Sequence, residues 1–265
     1  MSTRARRAVI IVGAVFATLG LVVAGFVVYA ITSYRADPDT SLSVWRSNAV
    51  EITGTDRGYV IEPTTPGGQA EELGLVFVPG ARVEPSAYLY KMSGIVVETG
   101  MTVVITRPTL NFAILDSRPL ESFTADAPEI DRWLVGGHSL GGVRACQWAK
   151  SATSAVTASE RSPDAAEVVG LMLFASYCND DVSDTTLSVA SFVASNDGLS
   201  TPEDVAARAS LLPSDAVTIT LDGANHASFG DYGAQSGDGE ATVSTEDVQA
   251  EIARATAEFV GPLAR

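Results

Sequence analysis

The apolar residues divide the chain into one long N-terminal run and a series of shorter runs separated by polar segments. Residues Ala8 to Ile31 carry no charge, and Arg4, Arg6 and Arg7 come directly before them. As a helix these 24 residues would rise about 36 Å, enough to cross a hydrocarbon core of about 30 Å. The pattern predicts a basic cytoplasmic segment over residues 1–7 and a transmembrane anchor over residues 8–31.

A cleavable signal peptide is the alternative to this anchor. The apolar region of a signal peptide is usually about 7–15 residues long, which is shorter than the run seen here. We therefore expect a single-pass protein of the cell membrane, with its N-terminus in the cytoplasm and the rest of the chain outside. Secretion after cleavage is the alternative localisation.

Beyond a polar tether over residues 32–47, strand-like runs alternate with helical patterns through a single domain over residues 48–265. This alternation predicts an α/β fold with a doubly wound, mostly parallel sheet. The predicted strands are Tyr59–Ile61, Leu75–Val78, Thr102–Thr106, Arg132–Gly136, Val168–Ser176, Leu187–Ala194 and Val217–Leu221. The predicted helices are Pro85–Glu98, a stretch around Ile114–Ala127 interrupted at Pro119, one that follows Gly141, one capped by Thr201, and Thr245 to about Val260.

The connections leave little room for a lid over this sheet. About eleven residues separate Ser176 from Leu187, and the segment Ser151–Glu167 is too polar to form a lid. We therefore expect an open pocket without a large cap.

The charge distribution limits the partners of the outer portion. The first 35 residues hold 4 of the 17 basic residues and none of the 32 acidic ones. The remaining 13 basic and 32 acidic residues give the outer portion a net charge of −19. Such a surface disfavours nucleic acid and anionic lipid headgroups.

The chain has two cysteines, Cys146 and Cys178. Two cysteines in an exported protein suggest a disulfide. Cys146, however, lies about two turns into the helix after Gly141 and should point away from the strand end that carries Cys178. We therefore expect two free, partly buried thiols.

The motif most indicative of chemistry is Gly137-His138-Ser139-Leu140-Gly141, which follows the apolar residues Trp133-Leu134-Val135. G-x-S-x-G between a strand and a helix is typical of a nucleophile elbow, in which the serine occupies a sharp, strained turn. The N–H groups at the start of the helix then point towards a developing oxyanion. We predict that Ser139 is a nucleophile, with a plain strand–turn–helix crossing as the alternative.

A nucleophilic serine needs an adjacent base, and the chain has only two histidines. His138 precedes Ser139 directly, so its side chain should project away from the serine Oγ. His226 follows the last predicted strand and is the predicted base, with a solvated loop histidine as the alternative.

The acid that orients this base is expected between the serine and the histidine along the chain. Asp197 follows the strand Leu187–Ala194 and is the predicted acid, with a simple turn-forming role as the alternative. Asp180 and Asp181 are competitors, and Asp222 is too close to His226 in sequence.

An oxyanion hole needs two backbone N–H donors. Leu140, directly after the nucleophile, is predicted to supply one. The loop Gly80-Ala81-Arg82 after the strand Leu75–Val78 is predicted to supply the other, from Ala81 or alternatively from Arg82.

Taken together, these segments resemble the α/β-hydrolase superfamily, and more narrowly the bacterial membrane-anchored alpha/beta hydrolase fold-5 group. The resemblance covers residues 50 to 262 and is carried by Phe77–Val83, Gly136–Gly142, Ala175–Tyr177, Asn196–Leu199 and Asn225–Gly233. It implies the α/β-hydrolase fold, with Ser139, Asp197 and His226 as a triad and the N–H groups of Ala81 and Leu140 as the oxyanion hole. It implies no particular substrate.

The segment Gly230–Glu240 (GDYGAQSGDGE) beside the predicted base remains to be explained. Clustered carboxylates suit Ca²⁺, but the spacing does not fit an EF-hand. We expect a loop that wraps the histidine and shapes the rim of the pocket.

The leading hypothesis is an extracytoplasmic serine hydrolase that cleaves a small-molecule carboxylic ester or related acyl bond through an acyl-enzyme. Acyl transfer to a cell-envelope acceptor is the alternative among enzymes. A non-catalytic, membrane-tethered binding protein is the alternative of a different class. We expect no cofactor, no metal and no nucleic-acid partner.

Overall fold

The computed structural model describes residues 2–154 and 166–264. Its first helix, α1 (Thr3–Ile31), contains the uncharged run. Most of its large apolar side chains are exposed, for example Phe16 at 69% and Leu21 at 75%. Among the described residues, α1 is the helix that is long and apolar enough to cross a membrane, and a signal sequence would share these properties.

In the part of the chain that the structure describes, eight strands form one sheet in the order β1-β2-β4-β3-β5-β6-β7-β8. The strands are β1 (Val50–Thr55), β2 (Gly58–Pro63), β3 (Leu73–Val78), β4 (Thr102–Thr106), β5 (Arg132–His138), β6 (Glu167–Phe174), β7 (Ser188–Ala194) and β8 (Val217–Leu221). β1 and β2 form an antiparallel hairpin, β2 is antiparallel to β4, and the remaining neighbours are parallel. The predicted mostly parallel sheet is confirmed, and the predicted strand Tyr59–Ile61 lies within β2. Its antiparallel partner β1 is an addition that the apolar pattern did not indicate.

Helices cover both faces of this sheet, so the fold is doubly wound. They are α2 (Pro38–Trp45), α3 (Leu89–Thr99), α4 (Glu121–Thr124), α5 (Leu140–Ser154), α6 (Pro202–Ala206) and α7 (Thr245–Val260). The buried side chains of β3 alternate between the faces: Leu75 and Phe77 pack in the core under α3 and α7, whereas Val76 and Val78 pack under α5. A strand buried on both faces is expected to be apolar throughout, as β3 is.

Two segments differ from the predicted elements. The segment predicted as a tether contains α2, which Asp37 caps and which buries Val44 beside α3. In place of the helix predicted around Ile114–Ala127, the chain forms a 3₁₀ turn at Ala113–Leu115 and the short α4. Pro119 lies between them and excludes a continuous helix, because proline has no N–H and its ring clashes with the preceding turn.

The connection from β6 to β7 is short, as predicted, and holds no cap domain. Residues 175–187 are all described and contain no helix. The other segment considered as a lid, Ser151–Glu167, lies mostly outside the described residues, at 155–165.

The two cysteines are joined, and the prediction of two free thiols is wrong. Cys146 on α5 and Cys178 in the loop after β6 form a disulfide, with their Cα atoms 5.6 Å apart. The prediction placed Cys178 at a strand end, but β6 already ends at Phe174 and the chain then turns towards α5. The loop lies so close to α5 that a Cβ on Gly142 would be 2.4 Å from the Ser176 hydroxyl.

Candidate active site

Ser139 lies in the sharp turn between β5 and α5. Its φ of 53° is in the left-handed region, which residues with a Cβ rarely adopt. The loop after β6 holds the turn: the Ser139 N–H donates to the Phe174 carbonyl (3.0 Å), and the Ser176 hydroxyl donates to the Ser139 carbonyl (2.6 Å). The strand, turn and helix expected of an elbow are therefore present, with Ser139 half-buried at the turn.

Close backbone approaches explain the glycines of the elbow. A Cβ at Gly141 would lie 2.0 Å from the Val78 carbonyl oxygen, and one at Gly137 would lie 2.5 Å from the Gly141 carbonyl carbon. No larger residue fits at either position without moving the backbone. The start of α5 therefore lies directly against the end of β3, beside the loop that carries Ala81.

The loop Gly80–Arg82 has one N–H group without an acceptor in the part of the chain that the structure describes. The Gly80 N–H donates to the Tyr88 hydroxyl (2.9 Å), and the Arg82 N–H donates to the Asn111 carbonyl (2.7 Å). Between them, the Ala81 N–H has no acceptor among the described residues. The Leu140 N–H lies in the first turn of α5, where a helix offers no internal acceptor. Of the two loop positions considered, the described structure gives the Arg82 N–H an acceptor and the Ala81 N–H none.

His226 and Asp197 form a buried pair. The His226 Nδ1 and the Asp197 Oδ2 are 2.8 Å apart, and the exposed fractions of the two side chains are 2% and 0%. The other carboxylate oxygen of Asp197 accepts the N–H groups of Leu199 (2.8 Å) and Ser200 (2.7 Å). These donors hold the carboxylate in place, so that it fixes both the orientation and the tautomer of the imidazole.

The other candidate acids lie elsewhere. Asp222 is exposed, and Asp181 is exposed and accepts the Ser183 N–H. Within the described residues, neither these carboxylates nor that of Asp180 bonds to His226.

His138 lies between the elbow and the histidine loop, which is the segment Asn225–Gly233 that carries His226. Its ring is buried, and its centroid lies 4.5 Å from that of His226, so the predicted base sits beside the residue that precedes Ser139. The Nδ1 of His138 is 2.9 Å from the Tyr88 hydroxyl. The Nδ1 of His138 is therefore occupied by its hydrogen bond with Tyr88.

Burial decides the direction of the Tyr88–His138 hydrogen bond. Burial raises the pKa of Tyr88, so its hydroxyl keeps its proton. Burial lowers the pKa of His138 well below its usual value, and the neighbouring His226 lowers that pKa further. Tyr88 thus accepts from the Gly80 N–H and donates to a neutral His138. The sequence analysis places Tyr88 within the predicted helix Pro85–Glu98 and assigns it no role, because its contact with His138 joins residues that are 50 positions apart.

Asp238 bridges the two loops that carry the acid and the base. Its Oδ1 accepts the N–H groups of Gly198 (3.2 Å), His226 (3.1 Å) and Gly239 (2.8 Å). Its Oδ2 accepts the N–H group of Ala227 (2.9 Å). One carboxylate therefore fixes the backbone next to Asp197 relative to the backbone of His226.

Further bonds join the same segment to both loops. The Asn225 amide donates to the Gly239 carbonyl (2.7 Å), and the Asn196 amide donates to the Glu240 carbonyl (2.9 Å). The Gly- and Asp-rich segment therefore wraps the histidine loop. Among the described residues, no group of three or more His, Cys, Asp or Glu side chains is arranged to hold a metal ion.

A buried ion pair anchors the far end of the histidine loop. The Lys91 Nζ on α3 is fully buried and lies 2.7 Å from the Asp231 Oδ1. The Thr245 hydroxyl at the start of α7 donates to the same oxygen (2.6 Å). Burial lowers the pKa of Lys91, and the adjacent Asp231 opposes that shift. The chain after His226 is thus held between α3 and α7.

Solved structures with similar architecture are esterases of low sequence identity. An esterase from the planctomycete Thermogutta terrifontis is 12% identical, with a TM-score of 0.49 over 83% of this chain and 97% of that one. The esterase domain of a Rhodothermus marinus protein is 13% identical, with a TM-score of 0.50 over 80% of this chain and 98% of that one. At such identities the likeness shows the fold alone. A comparison with curated proteins finds no match.

The sequence profile of the alpha/beta hydrolase family matches residues 74–250, which run from β3 to the first turns of α7 and include the elbow, Asp197 and His226. The match spans more than half of the chain and the whole of the site described above. The chain belongs to the alpha/beta hydrolase family.

Proposed function

We propose that this protein is a serine hydrolase that cleaves a carboxylic ester or a related acyl bond through an acyl-enzyme on Ser139. The observation that carries the proposal is the left-handed turn at Ser139 next to the buried His226–Asp197 pair. Membership of the alpha/beta hydrolase family supports hydrolysis. The Rhodothermus marinus neighbour is an esterase domain, so esters are the first substrate class to test.

In the proposed reaction, the Ser139 Oγ attacks the carbonyl carbon of the ester while the His226 Nε2 takes the hydroxyl proton. Asp197 holds the Nδ1–H of His226 and stabilises the imidazolium that forms. The carbonyl oxygen becomes an oxyanion and accepts the N–H groups of Ala81 and Leu140.

The intermediate then collapses, and His226 returns the proton to the departing alcohol. This leaves the acyl group on the Ser139 oxygen. Water attacks the acyl-enzyme with His226 again as the base, and the carboxylic acid is released with Ser139 restored.

We further propose that the reaction takes place outside the cytoplasm. The arginines before α1 favour a cytoplasmic N-terminus under the positive-inside rule. The Cys146–Cys178 disulfide supports an oxidising compartment for the domain.

The test is a comparison of the full-length protein with its Ser139→Ala variant on a short p-nitrophenyl ester. Loss of the nucleophile should lower kcat by about 10⁴-fold or more. Ser214→Ala, at an exposed position, is the matched control and should keep full activity. A fluorophosphonate probe should label the wild type and the control but not Ser139→Ala.

Undiminished turnover by Ser139→Ala would reject the proposal. Analysis of the products, with and without added alcohols or amines, separates release of the free acid from transfer of the acyl group. Absence of both turnover and probe labelling in the wild type would favour a non-catalytic binding protein.

A further inference from the structure

The end of α1 is bonded to the loop that carries Ala81. The Arg82 guanidinium donates to the carbonyl oxygens of Tyr29 (3.0 Å) and Thr32 (2.6 Å) and lies 3.8 Å from the centre of the Tyr29 ring. The Tyr34 N–H then donates to the Arg82 carbonyl (2.6 Å). The apolar helix is therefore attached to the edge of the sheet where Ser139 lies.

The chain that follows α1 also contacts the histidine loop. The Asp37 N–H donates to the Asp231 carbonyl (2.6 Å), and the Tyr34 ring lies 5.5 Å from the Tyr232 ring. These contacts fix the orientation of the active-site edge relative to α1.

Beside this junction lies an apolar loop, residues 109–115 (TLNFAIL), which follows β4 at the same edge of the sheet. Its Phe112 ring packs 5.8 Å from the Phe26 ring of α1. Ile114 is 68% exposed and Leu115 is 44% exposed. Adjacent exposed side chains of this size are unusual on a surface that faces water.

The position of Phe26 along α1 gives the depth of this loop. A hydrocarbon core of about 30 Å takes about 20 helical residues, so a span that starts after the arginines, at Ala8, ends near Val28. Phe26 would then lie just inside the outer boundary of the core. Its partner Phe112 would lie at the same depth, with Ile114 and Leu115 beside it.

We propose that the apolar loop lies in the outer leaflet of the membrane that α1 crosses, and that the substrate of Ser139 is an acyl ester of a lipid in that leaflet. The substrate assignment rests on the proposed serine hydrolase activity. The bilayer covers the apolar loop, because the loop packs against α1, the one described helix that is suited to crossing a bilayer. The outer domain is acidic, so an apolar contact, and not attraction to anionic headgroups, holds the edge to the membrane.

The experiment measures the rates at which the full-length protein, placed in phosphatidylcholine vesicles, hydrolyses two esters. One ester is water-soluble p-nitrophenyl acetate, and the other is a phosphatidylcholine with self-quenched fluorescent acyl chains within the bilayer. The variant Ile114→Glu with Leu115→Glu should lower the rate on the lipid ester by about tenfold or more, because each charge opposes burial in the leaflet. Its rate on p-nitrophenyl acetate should stay that of the wild type.

The matched control is Val97→Glu with Val217→Glu. Both positions are exposed apolar residues, at 57% and 45%, and they lie towards the opposite edge of the sheet. The control adds the same charge and should keep both rates. An equal rate for wild type and Ile114→Glu with Leu115→Glu on the lipid ester would overturn the proposal.

A second measurement tests the contact without using activity. In vesicles of brominated phosphatidylcholine, the fluorescence of Ile114→Trp should be quenched beyond that of the wild type, and that of Val97→Trp should not. Absence of extra quenching of Ile114→Trp would overturn membrane contact. Shielding of this tryptophan from the brominated lipid by a second copy of the chain would overturn it as well. If neither ester is turned over, the proposed activity and the substrate assignment both fail, while the quenching still decides the position of the loop.

Discussion

The pair of His226 and Asp197 owes its geometry to backbone donors on neighbouring loops. Asp197 takes its own donors from the turn that follows it. Asp238 takes donors from both loops and so sets the distance between them. A carboxylate has two oxygens with about four lone-pair sites, so it can accept several N–H groups at once, which suits it to hold two loops together.

Replacement of Asp238 by Ala should therefore slow the reaction while the reacting groups remain in place. We expect kcat on a soluble ester to fall by about 10–100-fold with little change in KM, because small displacements of reacting groups are costly. Asp238→Asn keeps one acceptor oxygen and should lie between the wild type and the alanine variant. Asp222→Ala, an exposed aspartate on the same connection, is the control. A wild-type kcat in Asp238→Ala would show that the bridge does not position the pair.

His138 is a titratable group that the proposed reaction does not use. Its pKa is lowered by burial, so the folded protein holds it neutral while an unfolded chain protonates it near pH 6.5. Its contribution to stability is therefore complete above pH 6.5 and is lost as the pH falls below that value, since protons then bind the unfolded state preferentially.

The variant His138→Phe should remove this part of the pH dependence. Between pH 7.5 and 5.5, the free energy of unfolding of the wild type should fall by about 1 kcal/mol more than that of His138→Phe. Denaturant titrations of the full-length protein in detergent at the two pH values measure this difference. His226 is present in both proteins, and identical losses would contradict the neutral state inferred for His138.

At the scale of elements, the elbow is supported from the side by the loop after β6. Ser176 bonds to the Ser139 carbonyl, and two residues further on Cys178 is joined to Cys146 on α5. The disulfide thus joins this loop to α5, the helix that begins directly after the nucleophile, across a sequence separation of 32 residues.

Removal of the disulfide in Cys146→Ser with Cys178→Ser should lower the free energy of unfolding by about 3–4 kcal/mol, as expected for a loop of this length. Denaturant unfolding with and without reductant measures the change. Reductant should bring the wild type to the stability of the double variant and should not affect the variant itself. If reductant also destabilised the double variant, the disulfide could not be the source of the stability difference.

The elements that the sequence predicted well are those whose pattern is decided locally. Thr102–Thr106, Val217–Leu221 and Thr245–Val260 have the predicted bounds, because each is a run of one periodicity between clear breaks. β1 is short and mostly polar, and it is a strand because it pairs with β2. The disulfide likewise depended on where the chain turns after β6, which the apolar pattern does not show.

The residues of the candidate site also fall into two groups: those that the sequence indicates locally and those whose contacts join distant segments. Ser139, His226 and Asp197 were predicted because chain order and the scarcity of histidine select them, and their catalytic roles remain predictions. Tyr88 and Asp238 were not singled out, because their contacts join segments that are distant in sequence. Asp238 is 40 residues from Gly198, and such a bond becomes visible only when the loops are placed in space.

At the scale of the whole molecule, the two edges of the sheet differ. The edge at the carboxyl ends of the parallel strands holds Ser139, the histidine loop, the apolar loop and the junction with α1. Ligands of open α/β sheets bind at this edge, so the attachment of α1 there places the apolar helix and the proposed chemistry on one side. The opposite edge remains directed away from α1 and carries none of the residues that we assign to the reaction.

The bonds from Arg82 to the end of α1 restrict rotation of the domain relative to this helix. With α1 in a bilayer, the edge that holds Ser139 would stay next to that bilayer and would not reach a facing membrane. Encounters with a lipid ester then become a two-dimensional search by lateral diffusion. Turnover would follow the mole fraction of ester within a single leaflet, and inert lipids in that leaflet would lower the rate by dilution.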